Sequence, residues 1–257
     1  MIRVVNWGIA GSVVDAGHAG RAWLGQSRGG ALDLSSLFLA NRLVGNTESS
    51  AGIESSGGLV LTFEEPTMAV LTGAVADVRV TDGPPVGWGN PAVLPSGSTL
   101  RVGRLLDGAR LYIGFRGGVI ARPDGLLVGG DPLTSAASQP AARPSLPSSL
   151  RIWQGPRLDW AADDTWSLLT GGEFVVTATS RVGVRLSGPV LHRARLAELP
   201  SEGIVEGAVQ LPPDGNPIIM LADHPSTGGY PVIAVVDPAD ISAAAQAPVG
   251  VRLRFSR

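Results

Sequence analysis

The chain of 257 residues contains no cysteine, so it can form neither a disulfide framework nor a thiolate nucleophile or cysteine zinc site. It also contains no lysine, because all 20 of its basic residues are arginine. A Walker-type phosphate loop, a pyridoxal phosphate Schiff base and a biotin carrier each need a lysine. The chain can be none of these by itself.

The histidine spacing, the net charge and the lack of long apolar runs argue against further classes of protein. The three histidines, His18, His192 and His224, do not fall in a metal-ligand spacing, so we expect no metal site. The net charge of −2 leaves no basic excess for binding nucleic acid. No stretch approaches the roughly 18 continuous apolar residues of a membrane helix, and the N-terminal residues lack a signal-peptide core. We therefore expect a cytoplasmic protein with no nucleic-acid or membrane partner.

Glycine and proline are abundant instead, at 35 and 20 residues. Together with the few aromatic residues, they predict many short strands joined by turns, and so a mainly β protein with few helices. A segment rich in Ala, Ser and Pro between Asp131 and Ser149 reads as a linker. It divides the chain into two β-rich domains, residues 1–135 and 150–257, and the short, regular strand spacing of the second favours a closed barrel.

One strong helix is predicted in the first domain, near residues 33–45. Asp33 is the expected N-cap, and Gly45 stands where a left-handed C-cap belongs. Asn41 falls on the apolar face of this helix, so its amide must find partners. It either ties down a neighbouring loop or contacts a ligand. Strands are predicted at residues 68–72, 75–80, 99–102 and 111–115, with turns between them.

Residues 201–234 hold the most concentrated site signal. The runs 208–211 and 218–222 enclose the turn residues Pro-Pro-Asp-Gly and predict a hairpin, whose second strand is apolar throughout and hence buried on both faces. Asp223 follows that strand, facing Thr227 across a glycine-rich loop, and is the candidate catalytic base or a structural anchor of the loop. We expect its neighbour His224 to be a solvated loop residue.

The same loop and a nearby strand supply candidate binding groups. Gly228 and Gly229 can present consecutive backbone N–H groups to an anionic oxygen, or form an ordinary turn. Arg181 and Arg185 are four residues apart on a predicted strand, so they share a face and could hold a carboxylate or a phosphate, or else pair with acids on the barrel wall.

The chain resembles a known family through EGIVEGAVQLPPDGNPIIMLAD at residues 202–223, followed by TGGYP at 227–231. Collinear support comes from GALD at 30–33, Ile53 with Glu54, GARLYIGFRGG at 108–118 and RVGVRLSGP at 181–189. These motifs are similar to those of the C-type subunit of bacterial 5-oxoprolinase, also called allophanate hydrolase subunit 2. That family is related to half of the biotin-dependent carboxyltransferase domain of urea carboxylase.

The resemblance implies a cyclophilin-like barrel in the C-terminal half and a subunit of an ATP-dependent 5-oxoprolinase, a lactam-opening amidohydrolase. Its partners would be a B-type protein (allophanate hydrolase subunit 1 family) and an A-type protein. The substrate would be a small amide or lactam, and no cofactor would be bound by this chain alone. Candidate substrate-binding residues are Asp33, Asn41, Glu54, Arg181, Arg185, Gln210, Thr227, Gly228, Gly229 and Tyr230.

Two alternatives stay open. The chain could be the carboxyltransferase component of a urea carboxylase type system, with biotin on another chain, or a non-catalytic regulatory subunit that antagonises a kinase inhibitor. Several polar residues of the family pattern are missing: residues 14–18 replace QDxGR, Gly29 replaces the serine of SGAMD, and Val232 replaces a lysine. A partner could therefore carry more of the chemistry.

Overall fold

A computed structural model describes residues 1–123, 125–129, 141, 143–145, 147 and 149–257. The chain is mainly β, as predicted, and divides into two compact units, residues 1–17 with 33–145 and residues 18–32 with 146–257. Most of the predicted linker lies outside the described residues. In the part of the chain that is described, no helix is long and apolar enough to cross a membrane.

Among its described residues, the first unit contains a nine-stranded sheet and one α-helix, α1 (Leu34–Leu43). The strands run β2-β3-β7-β4-β1-β9-β8, and β5 pairs with β6 and β7. Their bounds are β1 (Ile2–Asn6), β2 (Ser12–Val14), β3 (Gly52–Ser55), β4 (Val60–Phe63), β5 (Thr67–Thr81), β6 (Ala92–Leu94), β7 (Thr99–Phe115), β8 (Val119–Arg122) and β9 (Gly125–Val128).

The strands β5 and β7 are longer than the sequence suggests. The predicted breaks after residues 72 and 102 do not occur, and the two strands pair antiparallel from Ala69 opposite Phe115 to Thr81 opposite Thr99. Register shifts between residues 73 and 78 absorb the irregularity, with Gly73 at φ +73°. A β-bulge lets a strand bend at a glycine without ending, which turn-residue signals alone do not reveal.

The helix α1 begins and ends as predicted. The Asp33 carboxylate accepts a hydrogen bond from the Ser36 N–H at 3.0 Å, and Gly45 adopts φ +78° just beyond the C-terminus. Leu37, Ala40 and Leu43 on its inner face are buried.

The second unit is a closed barrel, which confirms the predicted barrel. Its strand order is β10-β17-β14-β15-β12-β11-β18, and a separate pair β13-β16 lies outside it. The bounds are β10 (Ser149–Gln154), β11 (Glu173–Thr179), β12 (Gly183–Ser187), β13 (Glu202–Gly203), β14 (Ala208–Gln210), β15 (Ile218–Met220), β16 (Thr227–Gly228), β17 (Val232–Val236) and β18 (Arg252–Ser256). Two short helices, α2 (Thr165–Gly171) and α3 (Ile241–Gln246), complete it.

The predicted hairpin is present as β14 and β15, with Val209 opposite Ile219. The second strand is buried on both faces, as expected. Ile219 belongs to the barrel core, whereas Ile218 and Met220 belong to a separate apolar cluster with Ile204. Because successive side chains of a strand point to opposite faces, this second cluster lies on the outside of the barrel wall.

Residues 18–32 belong to the barrel unit, whereas the sequence placed them in the first domain. The Gly29 N–H donates to the carbonyl oxygen of Ala222 at 3.1 Å. Arg28 forms a bidentate ion pair with Glu206, at 2.7 and 2.8 Å, and Leu32 packs into the barrel core. Arg28 and Glu206 are separated by 178 residues, so no local pattern could indicate this association.

Candidate functional site

A cavity of about 440 Å³ lies against the outside of the barrel wall. Its floor comes from β12, β14 and β15, and its rim from the segment that follows β15. We call it the wall cavity. It is lined by Ser180, Val182, Gly183, Arg185, Ile204, Gln210, Ile218, Met220, Pro225, Gly228, Gly229 and Tyr230.

The wall cavity brings together five of the predicted binding residues: Arg185, Gln210, Gly228, Gly229 and Tyr230. They come from β12, from the end of β14 and from the TGGYP loop, so strands separated along the chain supply them. Gln210 is 3% exposed, and its Nε2 donates to the carbonyl oxygen of Tyr230 at 3.3 Å. A buried amide thus faces an apolar floor formed by Ile218 and Met220.

Gly228 has a packing reason to be glycine. A Cβ at this position would lie 2.5 Å from Cδ1 of Ile204 and 3.2 Å from Nε2 of Gln210. Because glycine has no Cβ, β16 can approach the cavity wall closely.

The partner strand of β16, β13, carries Glu202, and Arg157 binds both carboxylate oxygens of Glu202, one of them at 2.8 Å. These hydrogen bonds hold the pKa of Glu202 below its usual value.

The two candidate arginines do not lie on one strand, and only Arg185 lines the wall cavity. Arg181 lies at a bend before β12 begins, and its guanidinium binds Asp223 at 2.7 and 3.1 Å and the carbonyl oxygen of Gly30 at 2.5 Å. Arg185 lies on β12, is exposed and lines the wall cavity. Among the described residues its guanidinium has no carboxylate partner. Arg185 is therefore the cation available to a ligand in this cavity.

Asp223 stays a candidate base, but its surroundings fit the alternative role of a loop anchor. The Arg181 guanidinium occupies both carboxylate oxygens, and Asp223 does not line the wall cavity. Thr227 also lies outside the lining, exposed on β16. The expectation that His224 is solvated is wrong: this side chain is 6% exposed, and its Nδ1 lies 2.8 Å from the carbonyl oxygen of Pro225.

The remaining candidates, Asp33, Asn41 and Glu54, belong to the first unit and are buried to at least 99%. Asn41 ties down a loop: its amide donates to the carbonyl oxygens of Glu48 and Ser50, at 3.0 and 2.7 Å. In that unit the fully buried Tyr112 accepts a hydrogen bond from the Asp33 N–H and donates one to Glu54, at 2.8 and 2.7 Å. Burial, reinforced by the nearby Glu54 and Asp33 charges, raises the pKa of Tyr112 well above its usual value.

Sequence reasoning missed the partners that hold these groups in place. Each of these partners, Arg157, Arg193 and Tyr112, binds a residue at least 18 positions away along the chain. Arg157 and Arg193 stand in no sequence pattern that marks them, whereas Tyr112 lies inside the GARLYIGFRGG motif, which could have indicated it. In the described residues, no group of three or more His, Asp or Glu side chains is placed to hold a metal ion.

A family model and two relatives found by comparison with known proteins indicate the same family. The family model for the carboxyltransferase domain, subdomains A and B, matches residues 24–126 and 120–257. The chain is 30% identical to the C subunit of 5-oxoprolinase from Escherichia coli over 289 residues, covering 99% of this chain and 90% of the relative. The same identity and coverage are found for the corresponding C subunit of Haemophilus influenzae.

Two solved structures have a fold similar to that of this chain. The crystal structure of TTHA0988 superposes with a TM-score of 0.83 and 33% identity, covering all of this chain. This chain spans 55% of that protein. The Kluyveromyces lactis urea amidolyase superposes with a TM-score of 0.85 and 25% identity, and here this chain corresponds to 18% of the larger protein.

Proposed function

The chain belongs to the carboxyltransferase-domain family that includes the C subunits of 5-oxoprolinase, and we propose that it acts as the C-type subunit of an ATP-dependent 5-oxoprolinase. The observation that carries the proposal is its similarity to two such C subunits over 99% of the chain. The reaction would open the lactam ring of 5-oxoproline to give glutamate.

The wall cavity suits this substrate. 5-Oxoproline carries one carboxylate, one lactam amide and an apolar ring edge. The Arg185 guanidinium can bind the carboxylate through two parallel hydrogen bonds. The Gln210 amide can both donate to and accept from the lactam, while Ile218 and Met220 offer apolar contact to the ring carbons.

We assign the binding and hydrolysis of ATP to other chains of the complex. The chain has no lysine and hence no Walker-type phosphate loop. We propose that a B-type and an A-type protein act with it in the cytoplasm, and that this chain contributes a substrate-binding wall.

Carboxyl transfer is the second candidate. The observation that favours it is the TM-score of 0.85 with Kluyveromyces lactis urea amidolyase. In that case a urea-sized amide would occupy the wall cavity and accept a carboxyl group from carboxybiotin carried by another chain. Urea has no carboxylate, so this function gives Arg185 no anionic partner on the amide substrate.

The experiment measures steady-state 5-oxoproline turnover by a complex of this chain with its B-type and A-type partners, using Arg185→Gln and a control variant Arg104→Gln. Arg104 is exposed on β7 of the first unit. Loss of a charge-assisted hydrogen-bond pair should raise KM about 10- to 100-fold with little change in kcat. Arg104→Gln should match the wild type.

If the KM of Arg185→Gln is the same as that of the wild type, Arg185 does not bind the substrate. ATP hydrolysis that depends on urea and biotin but not on 5-oxoproline would replace the proposed reaction with carboxyl transfer.

A further inference from the structure

A second, larger cavity adjoins the wall cavity in the barrel unit. Its volume is about 750 Å³, and it is formed by residues 190–193, 196–199 and 213–215 together with Gly229 and Tyr230. We call it the outer cavity. Gly229 and Tyr230 line both cavities, so the Tyr230 side chain, which is 44% exposed, lies at their shared boundary.

Arg193 holds the Tyr230 ring at this boundary. Its guanidinium carbon lies 5.5 Å from the centre of the ring, a distance at which cation–π attraction operates. Its Nε and Nη2 both donate to the carbonyl oxygen of Leu211, at 3.1 and 2.7 Å. The Leu211 N–H in turn donates to the carbonyl oxygen of Pro231 at 2.9 Å. Arg193 is therefore fixed to a residue that also fixes the backbone next to Tyr230.

We propose that Arg193 is a positioning residue that fixes Tyr230 as the wall between the two cavities and thereby limits the size of the ligand that the wall cavity accepts. Without Arg193, the ring has no cation to hold it over the boundary and can swing into solvent. The wall cavity would then open into the outer cavity, and larger ligands would enter. The identity of the ligand, but not the position of the ring, rests on the proposed function.

The chain offers an unusually clean test of the ring position because it has only two tyrosines. With 3-fluorotyrosine incorporated, the ¹⁹F NMR spectrum contains one signal from Tyr230 and one from Tyr112, which is fully buried in the other unit. Tyr112 serves as an internal reference for folding. Arg193→Ala should move and sharpen the Tyr230 signal and leave the Tyr112 signal unchanged.

Arg195→Ala is the matched control. Arg195 lies in the same segment, and its guanidinium carbon lies 5.6 Å from the ring of Trp160, while it pairs with Asp159 at 2.8 Å. Arg195→Ala removes an arginine that also stacks on an aromatic ring, two residues from Arg193, but it leaves the contacts of Tyr230 unchanged. Arg193→Lys keeps the positive charge but not the two hydrogen bonds to Leu211, so its Tyr230 signal should be intermediate. A Tyr230 signal that is the same in Arg193→Ala and in the wild type would overturn the proposal.

The size limit is tested with the assembled complex. The ratio of kcat/KM for 5-oxoproline to that for its six-membered homologue, 6-oxopiperidine-2-carboxylate, should fall about tenfold in Arg193→Ala, the usual discrimination for one methylene group. An unchanged ratio despite a moved Tyr230 signal would refute the size limit. If the wild-type complex turns over neither lactam, the proposed function fails, while the NMR comparison still decides whether Arg193 positions Tyr230.

Discussion

Replacing Tyr112 with phenylalanine removes one oxygen atom from the buried centre of the first unit. That hydroxyl accepts a hydrogen bond from the Asp33 N–H at 2.8 Å and donates one to Glu54 at 2.7 Å. It therefore connects the N-terminus of α1 to strands β3 and β7. The phenylalanine ring fills nearly the same volume, so the change reports on the hydrogen bonds rather than on packing.

The expected loss of unfolding free energy at pH 7 is about 3 kcal/mol. A buried hydrogen bond to a carboxylate contributes about 1.5–3 kcal/mol, and a neutral one contributes about 1 kcal/mol. Such a loss is large against typical domain stabilities of about 5–15 kcal/mol.

The difference between the two proteins should depend on pH in a defined direction. Burial raises the pKa of Tyr112 in the folded state above its value in the unfolded state, which is about 10. Above pH 10 the unfolded wild type releases a proton that the folded wild type retains, so the wild type loses stability as pH rises. Phenylalanine does not titrate. The advantage of the wild type should shrink by about 1.4 kcal/mol per pH unit above pH 10 and stay constant between pH 7 and 9.

Urea denaturation followed by circular dichroism at pH 7, 9, 10.5 and 11 measures this difference. Tyr230→Phe is the control, because it removes the other tyrosine hydroxyl from a half-exposed site and should change stability by less than about 0.5 kcal/mol. The reasoning is refuted if Tyr112→Phe costs no more than Tyr230→Phe at pH 7, or if the difference between wild type and Tyr112→Phe keeps its size at pH 11.

Three further predictions concern single side chains. Asn41→Ala should destabilise the first unit by about 3 kcal/mol, because it leaves the loop carbonyl oxygens of Glu48 and Ser50 without their donor; a change below about 1 kcal/mol in urea denaturation would contradict this. Asp223→Asn should lower the melting temperature, because it weakens the Arg181 ion pair, and leave kcat within about threefold; a fall in kcat of about 100-fold would restore Asp223 as the base. The hydrogen bonds from Arg151 lower the pKa of Asp240, so this ion pair stabilises the folded state above about pH 4. That contribution is lost as the pH falls through the pKa of Asp240 in the folded state. Asp240→Asn should therefore be less stable than the wild type at pH 7 and should lose less stability on acidification.

The elements that depend on local chemistry could be predicted from the sequence. The capping residues Asp33 and Gly45 delimit α1, and the Pro-Pro-Asp-Gly turn identifies the hairpin of β14 and β15. Both signals lie within a few residues of the structure that they determine.

The parts that escaped prediction depend on partners far along the chain. The length of β5 and β7 comes from their pairing with each other, which overrides the breaks suggested by glycine. Residues 18–32 join the barrel unit through Arg28 and Glu206, 178 positions apart. At the candidate site, the sequence placed Arg181 and Arg185 on one face because it assumed a strand through both, whereas β12 begins only at Gly183.

The proposed function is tested most directly by measuring glutamate release from ATP and 5-oxoproline by this chain together with the proposed B-type and A-type proteins, with each chain omitted in turn. We expect ADP and glutamate in stoichiometric amounts, which are no longer formed when this chain is left out and are formed again when it is added back. Glutamate formation that proceeds equally well without this chain would contradict the proposal that it is a subunit of the enzyme.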